Sequence, residues 1–268
     1  MQITSRDNSL LRQVRGVRDG KIEELIFIEG LRLCEEAYRS NLAIEAVVIS
    51  EELLRKERAA AVTGELSRVS KRVASVSEKL LESVSYTKTP QGIIALAQRP
   101  EASAERLEAS LDANCLLVVL HQINNPVNVG AIVRTAEAAG ATGVIATRNT
   151  SDPFSAKSLR GAMGSAFRLP IWSGVEYSEM IEWCRERGIV TVCADVEANT
   201  AYAELDWTGP TALLLGPEST GFTPEELEET DQRVSIPMQG AAESLNVSVA
   251  AGILLFEAAR QRSFRGFT

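Results

Sequence analysis

Three stretches of the sequence place polar side chains where a strand-like pattern gives way to a helix-like one. In the last of them, Ser244 and Asn246 precede Val247, which begins an apolar series with helical spacing. The first turn of such a helix carries free backbone N–H groups and a partial positive charge, so this corner favours acceptor groups and small polar ligands. Taken alone, the stretch also fits a packed C-terminal helix that Ser244 and Asn246 only cap.

The other two stretches add a cation and a carboxylate. Residues 124–141 place Arg134 six residues after Asn128, and a proline stands where a helix can begin. Residues 213–227 place Glu218 at the end of a strand-like run. Neither stretch contains the G-x-G-x-x-G pattern of dinucleotide-binding folds or the Gly-Lys-Ser/Thr ending of a P-loop. We therefore do not expect a glycine-rich phosphate site.

Alternating strand and helix patterns must position these residues. Strands are predicted at 116–120, 143–147, 189–194, 211–215 and 233–236. Helix-like runs such as SAKSLRGAM and YSEMIEWCRERG separate them, which predicts a parallel sheet with helices on both faces. Because ligands of such sheets bind at the carboxyl ends of the strands, the loops after the first, third, fourth and fifth of these strands are the expected site.

The first part of the chain has its own alternation of strands and helices. Residues 25–97 predict a smaller α/β domain. Residues 99–113 contain a proline, many charges and few large apolar side chains, which is typical of a linker with one or two helical turns. We therefore divide the chain into a domain at 1–98, a linker at 99–113 and a domain at 114–268.

The composition is ordinary for a soluble globular protein, with 45% hydrophobic and 24% charged residues. No apolar run approaches the roughly 18 residues of a membrane span, and the N-terminus lacks the apolar core of a signal peptide. The 4 cysteines are scattered without a C-x-x-C pair, which argues against a zinc site or a disulfide framework. We expect a cytoplasmic protein without metal, in which the cysteines are buried as small hydrophobic residues.

The charge distribution bears on nucleic acid as a partner. The net charge of -8 argues weakly against phosphate binding. Residues 1–21, however, hold five basic residues against two acidic ones, a local charge of +3. This segment either lies on phosphate or forms the solvated face of a helix.

The order and spacing of the polar residues in the three stretches resemble the motifs of a known family, the SpoU (TrmH-like) RNA ribose 2'-O-methyltransferases. The matching motifs are Asn128-x-Gly130-x-x-x-Arg134, Gly216-x-Glu218-x-x-Gly221, and IPMQG followed by Ser244-Leu245-Asn246. This resemblance covers residues 116–262. The run FIEGLRLCEEA makes the N-terminal part similar to the family's substrate-binding domain, which has the ribosomal L30e fold.

The resemblance implies a SPOUT fold with a deep trefoil knot at the C-terminus, S-adenosylmethionine as cofactor, a homodimer, and methylation of one ribose in structured RNA. Ribosomal RNA is the favoured substrate, and the alternatives are tRNA and a resistance methylase of the thiostrepton type. By matching position, the residues that line the cofactor are Gly216, Ile236 and Leu245. The catalytic polar set is Asn128, Arg134, Glu218, Ser244 and Asn246.

Methyl transfer requires residues that position and polarise a ribose hydroxyl, because the cofactor supplies the reactive methyl carbon. The family's proposed base is the arginine at position 134, but a guanidinium does not readily give up a proton. Our hypothesis is that Arg134 contacts phosphate and the hydroxyl and offsets developing alkoxide charge. We expect Glu218 to orient Arg134 or backbone amides. Asn125 stands where the family often has Asp, so a charge near the first motif is missing.

The single histidine, His121, follows the first strand of the second domain. No nucleophile-elbow pattern accompanies it, which favours a structural role at the edge of the site over Ser-His-Asp catalysis.

Two other classes of protein are alternatives to a methyltransferase. An oxidoreductase with a Rossmann fold would fit the alternation of elements but would need the glycine fingerprint. A catalytically inert RNA-binding protein would keep the N-terminal domain and lose polar residues of the motifs, yet all five are present.

Overall fold

The described chain divides into two units, each with its own sheet. The computed structural model describes residues 1–263, apart from the side chains at 57 and 58. The first unit comprises Met1–Pro100 with Phe154–Arg168, and the second comprises Glu101–Pro153 with the chain from Leu169 onward. The predicted second domain, 114–268, includes residues 264–268, which lie outside the described residues.

The elements of the first 100 residues are β1 Gln2–Ile3, α1 Ser9–Arg18, β2 Leu25–Glu29, α2 Leu31–Arg39, β3 Ile44–Ser50, α3 Glu51–Leu54, α4 Glu57–Val69, β4 Arg72–Val76, α5 Glu78–Glu82 and β5 Ile93–Gln98. The remaining elements are α6 Ala104–Glu108, β6 Leu116–Leu120, α7 Pro126–Ala138, β7 Gly143–Thr147, α8 Ala156–Ala162, α9 Ser165–Arg168, β8 Ile171–Val175, α10 Tyr177–Glu186, β9 Val190–Ala194, β10 Thr211–Leu215, α11 Pro224–Glu229, β11 Gln232–Val234 and α12 Val247–Gln261.

The sheet of the first unit has the order β1-β4-β3-β5-β2. Strand β5 runs antiparallel to β2 and β3, whereas the other pairs are parallel. The basic N-terminal segment forms helix α1, which buries Leu10, Leu11, Val14 and Val17 in the core of this unit. The arginines of α1 occupy its other faces, and Arg12 is exposed. The segment is therefore a helix with one buried face, which is compatible with both interpretations of its charge.

Residues 154–168 pack with the first unit although they follow β7 in the chain. Arg168 pairs with Glu36 of α2 at 2.6 Å. Gly164 has a φ of +98°, and a Cβ at this position would lie 2.8 Å from Cβ of Glu36. The close approach of the two backbones requires glycine here. The sequence prediction placed this segment in the second domain, whereas its packing partners belong to the first unit.

The second unit contains a six-stranded sheet in which every pair is parallel, in the order β11-β9-β10-β6-β7-β8. Every residue of the three central strands β10, β6 and β7 is buried. Such continuous burial is typical of parallel strands covered on both faces by helices. The predicted α/β class with a parallel sheet is thus confirmed.

Strands β6, β7 and β10 have the predicted bounds, but three other details differ from the prediction. Strand β8 was not predicted, since Ser173 and Gly174 interrupt its apolar pattern. Strand β11 ends at Val234, so residue 236 lies in the irregular segment that leads to α12. The predicted linker contains α6, whose Leu107 is fully buried in the core of the second unit. A segment anchored in this way is part of the unit and is not a flexible connection.

All four cysteines are free and buried, as the sequence predicted. Burial raises the pKa of the Cys34 and Cys184 thiols to about 12, so these side chains stay protonated and behave as small hydrophobic groups. Within residues 1–263, no helix is both long and apolar enough to cross a membrane.

Candidate active site

A cavity of about 620 Å³ opens at the carboxyl ends of β9, β10 and β11. Its walls come from the loops that follow these strands and from the beginning of α12. These are three of the four loops in which the sequence predicted a ligand site. The described residues of the fourth loop, which follows β6, are not part of the walls.

The three residues that the sequence assigned to the cofactor, Gly216, Ile236 and Leu245, all line this cavity. Gly216 meets a neighbouring ring so closely that a side chain would not fit. A Cβ at position 216 would lie 2.4 Å from Cε2 of Phe222, which also lines the cavity. Residue 216 must therefore be glycine if the Phe222 ring is to keep this place.

Asn128 joins the polar residues of the three sequence motifs. Its side chain is buried, and its Nδ2 donates a short hydrogen bond to Oε1 of Glu218. Its Oδ1 accepts a hydrogen bond of 3.4 Å from Nδ2 of Asn246. Glu218 and Asn246 are both cavity-lining residues. The buried amide of Asn128 thus fixes two walls of the cavity relative to each other.

Two capped helices position this network. Asn125 caps α7, because its Oδ1 accepts from the backbone N–H of Val127 at 3.0 Å. An asparagine therefore performs the capping that an Asp at this position would perform. Asn246 caps α12 by accepting from the backbone N–H of Ser248 at 3.0 Å. Helices α7 and α12 pack against each other at Gly252, whose Cβ position lies 3.9 Å from Thr135.

Arg134 is exposed and does not contact Glu218, although orientation of Arg134 was one of the two roles expected for that carboxylate. Six residues of helix separate it from Asn128, which places the two side chains about 120° apart around α7. Glu218 instead accepts from Asn128. Within the described part of the chain, the Arg134 guanidinium has no hydrogen-bond or ion-pair partner. The cation is thus held on a helix next to the site and is free to bind another molecule.

Ser244 also lines the cavity, where its side chain is exposed. Of the five predicted catalytic residues, the structure therefore brings four together. Asn128, Glu218 and Asn246 are hydrogen-bonded, Ser244 lies beside them in the cavity wall, and Arg134 stands apart.

His121 lies beneath the loop of residues 216–222, and its side chain is buried. Nδ1 is 3.0 Å from Oγ1 of Thr147, and Nε2 is 2.9 Å from Oε1 of Glu226. Burial lowers the pKa of the imidazole below its ordinary value of 6.5, and the nearby Glu226 carboxylate opposes this effect. The buried position and the hydrogen bonds of both ring nitrogens agree with the predicted structural role at the edge of the site.

Sequence reasoning missed several residues of the cavity wall. The loop after β9 contributes Asp195, Val196 and Glu197, and the wall also includes Phe222 and Met238. The rule that ligands bind beyond the carboxyl ends of parallel strands pointed to the loop after residue 194. It named no side chain in that loop, because only the folded chain shows which of them face the cavity.

The wall of the cavity is acidic. Its charged residues are Asp195, Glu197 and Glu218, and no Lys or Arg is found among the lining residues that the structure describes. The Asp195 carboxylate lies 3.5 Å from the Arg233 guanidinium, which offsets part of this charge. Such a wall attracts a cationic ligand and repels a phosphate-bearing one.

The chain matches two protein-family models. The SpoU rRNA Methylase family matches residues 115–256, which contain every predicted site residue. The MRM3-like substrate binding domain matches residues 11–95.

Individual relatives are similar over most of the chain. A 23S rRNA (guanosine-2'-O-)-methyltransferase RlmB of Ralstonia nicotianae is 34% identical over 72% of this chain and 78% of its own length. The AdoMet-bound rRNA methyltransferase from Sinorhizobium meliloti superposes with a TM-score of 0.84 at 29% identity, covering 97% of both chains. The SpoU methyltransferase AviRb from Streptomyces viridochromogenes, solved with AdoMet, gives a TM-score of 0.85 at 27% identity over 96% of this chain and 98% of its own. With a family model matched over more than half of its length and relatives of the same kind, this chain belongs to the SpoU rRNA methylase family.

Proposed function

We propose that this protein transfers the methyl group of S-adenosylmethionine to the ribose 2'-hydroxyl of a nucleotide in ribosomal RNA. The observation that carries the proposal is the acidic cavity at the carboxyl ends of β9–β11, joined to α7 by the Asn128–Glu218–Asn246 hydrogen bonds. Relatives with this fold are rRNA methyltransferases solved with AdoMet. Ribosomal RNA is favoured over tRNA because relatives that match most of the chain are named as 23S rRNA methyltransferases.

The chemistry of the cavity fits S-adenosylmethionine better than a dinucleotide. The cofactor carries a sulfonium and an ammonium group, which the carboxylates of Asp195, Glu197 and Glu218 attract. A dinucleotide would bring its phosphates against the same carboxylates. The apolar side chains of Ile236, Leu245 and other wall residues offer surface for the adenine ring. This contrast separates the methyltransferase from the oxidoreductase alternative.

S-adenosylmethionine supplies an activated methyl carbon, so the residues of this chain have to position and polarise the hydroxyl, whose proton passes to solvent water as the methyl group is transferred. Asn128 holds Glu218 and Asn246 in fixed positions, and Ser244 extends the polar edge of the cavity. Arg134 has no partner among the described residues, so its guanidinium is available for an RNA phosphate and for the oxygen that becomes negative as the proton leaves. A cation in this position stabilises the developing alkoxide without itself losing a proton.

The RNA requires a second contact surface, which we assign to the first unit. Residues 11–95 match a substrate-binding domain model, and α1 presents basic side chains away from its buried face. Arg12 and Lys21 are exposed there. We also retain the predicted L30e-like fold for this unit. Because ribosomes assemble in the cytoplasm and the four thiols are free, we expect the protein there.

We further propose that the chain forms a homodimer and that its C-terminal segment is knotted. Helices α7 and α12 carry large exposed apolar side chains, with Val127 44%, Val249 51% and Phe256 44% exposed. A dimer would cover them, since apolar surface of this kind marks interaction sites. Arg134 lies two helical turns after Val127 on the same stripe of α7 and would stand at the edge of this interface. The family resemblance supports a trefoil knot.

The test of the proposed function is methyl transfer itself. The protein is incubated with S-adenosylmethionine labelled in its methyl group and with ribosomal RNA or tRNA, each RNA is digested to nucleosides, and the labelled nucleoside is identified. We expect label in a 2'-O-methylated nucleoside from ribosomal RNA. Label in tRNA alone would show that the substrate is tRNA and not ribosomal RNA. A base-methylated product would contradict methylation of the ribose.

A further inference from the structure

His121 is held by both ring nitrogens. Because the Glu226 carboxylate can only accept, Nε2 of His121 carries the proton and donates to Oε1 of Glu226 at 2.9 Å. Nδ1 then accepts from the hydroxyl of Thr147 at 3.0 Å. The backbone N–H of His121 donates to Leu215 O at 2.9 Å, at the point where β10 ends and the cavity begins. The side-chain amide of Gln122 also lies 3.1 Å from Nε2. These contacts hold the imidazole in one orientation beneath the segment of residues 216–222, here called the cofactor loop.

The faces of the imidazole support an aromatic residue of the cofactor loop. The His121 and Phe222 rings are stacked, with centroids 5.5 Å apart and planes inclined by 12°. The Tyr177 ring also packs against the imidazole in an edge arrangement, with centroids 4.7 Å apart and planes inclined by 62°. Phe222 in turn occupies the space beside Gly216. His121 therefore contacts, through a single ring, the residue that sets the position of the predicted cofactor-lining glycine.

Glu226 connects the same imidazole to the end of the cofactor loop. While Oε1 accepts from His121, Oε2 accepts from the backbone N–H of Thr223 at 2.8 Å and completes the capping box of α11. The Tyr177 hydroxyl donates to the backbone oxygen of Glu226 at 2.8 Å. Leu215 and Thr223, the residues that flank the cofactor loop, are consequently tied to His121, the first directly and the second through Glu226.

We propose that His121 is a positioning residue for S-adenosylmethionine: through Glu226 and Phe222 it holds the cofactor loop in the conformation that shapes the cavity. The inference rests on the proposed function. It predicts that loss of His121 weakens cofactor binding and leaves the rate of methyl transfer from the fully loaded enzyme nearly unchanged. A residue in contact with the reacting atoms would instead lower that rate.

The test compares two substitutions of the full-length protein. His121→Phe keeps the stacking area and removes both hydrogen bonds, whereas His121→Gln offers an amide N–H near the position of Nε2. We expect His121→Phe to raise the Kd for S-adenosylmethionine, measured by calorimetry, about tenfold. We expect His121→Gln to stay within about threefold of the wild type. Both variants should keep the single-turnover rate at saturating cofactor.

Two further variants separate positioning from general instability. Leu116→Ala removes a buried side chain at the start of β6, outside the cluster that packs against Phe222 and Tyr177, and should lower the unfolding midpoint without changing the Kd. Glu226→Ala removes the partner of His121 from a partly exposed position, so folding tolerates it, and should raise the Kd as His121→Phe does.

The outcomes are separable. Wild-type affinity in His121→Phe or in Glu226→Ala would overturn the inference, as would an equal loss of affinity in Leu116→Ala. An equal loss in His121→Gln would overturn the role of the Nε2 hydrogen bond. A wild-type protein that binds no S-adenosylmethionine would instead overturn the proposed function.

Discussion

Asn128 is the residue on which the polar part of the site depends, because one buried amide serves both Glu218 and Asn246. Both of its polar atoms are used, which is what a buried amide requires. Glu218 consequently acts as an anchor for Asn128 and not as an orienting partner of Arg134. We therefore expect Arg134, and not Glu218, to act on the ribose hydroxyl.

Arg134 is the subject of the first prediction. If it stabilises charge, Arg134→Ala should lower kcat by about 10²–10³, as loss of a transition-state donor does. Arg134→Lys keeps the charge and should retain about a tenth of the wild-type rate. Single-turnover rates and RNA affinity across pH distinguish the two roles. Equal, complete loss in both variants at every pH, with RNA affinity intact, would contradict this account and favour Arg134 as the base.

His121 gives a prediction for stability against pH. Burial lowers the pKa of the folded imidazole below 6.5, so unfolded chains take up this proton at a higher pH than folded ones. Between the two values the unfolded state binds more protons, and the free energy of unfolding falls as the pH falls. The free energy of unfolding, measured with urea from about pH 7.5 to 5.5, should fall in the wild type and should fall less in His121→Gln. Parallel profiles of the two proteins would contradict it.

At the scale of elements, the residue at the N-terminus of α12 both caps the helix and belongs to the hydrogen-bond network of the site. Asn246 uses Oδ1 to cap the helix and Nδ2 to reach Asn128. Asn246→Ala should lose about 1 kcal/mol of stability together with activity. Asn246→Asp keeps the capping oxygen and loses the donor, so stability should be largely kept while activity falls as in the Ala variant. Urea unfolding and methyl-transfer rates check this, and a fully active Asp variant would refute the role of Nδ2.

Local patterns predicted the central elements and missed those that depend on packing. The runs of β6, β7 and β10 are continuous and apolar because helices cover both sheet faces, so their bounds are readable. In β8, Gly174 with a φ of +84° breaks the pattern. The docking of residues 154–168 on the first unit depends on the fit of Gly164 against Glu36, which no periodicity encodes. Likewise, the sequence motifs assigned all five polar residues to one site, and only the fold shows that Arg134 lies apart from the other four.

At the scale of the whole molecule, the exposed apolar side chains of α7 and α12 predict a dimer. Val249→Glu combined with Phe256→Glu should yield a monomer in size-exclusion chromatography with light scattering, because charge would be buried at the interface. Val69→Glu changes a residue of similar exposure in the first unit and should leave the dimer intact. A wild-type monomer, or a dimer that survives the double substitution, would refute this surface.

Connectivity is the property of the molecule that the sequence conveys least. Alternating strands and helices predict an ordinary doubly wound sheet, and the rules for unknotted chains would exclude a trefoil. The expectation of a knot came from the family motifs alone. The sequence also conveys little about the substrate. The net charge of -8 argues against RNA binding unless the basic face of α1 is considered separately.

The central claim is methylation of one ribose in ribosomal RNA, and mapping the product tests it most directly. Ribosomal RNA lacking the modification is incubated with S-adenosylmethionine and either the wild type or Arg134→Ala, and the fragments are analysed by mass spectrometry for 2'-O-methyl groups. We predict a single new 2'-O-methylated nucleotide in 23S rRNA with the wild type and a strongly reduced amount with Arg134→Ala. Unmodified ribosomal RNA after incubation with a wild type that binds the cofactor, or a methyl group on a base, would contradict the claim.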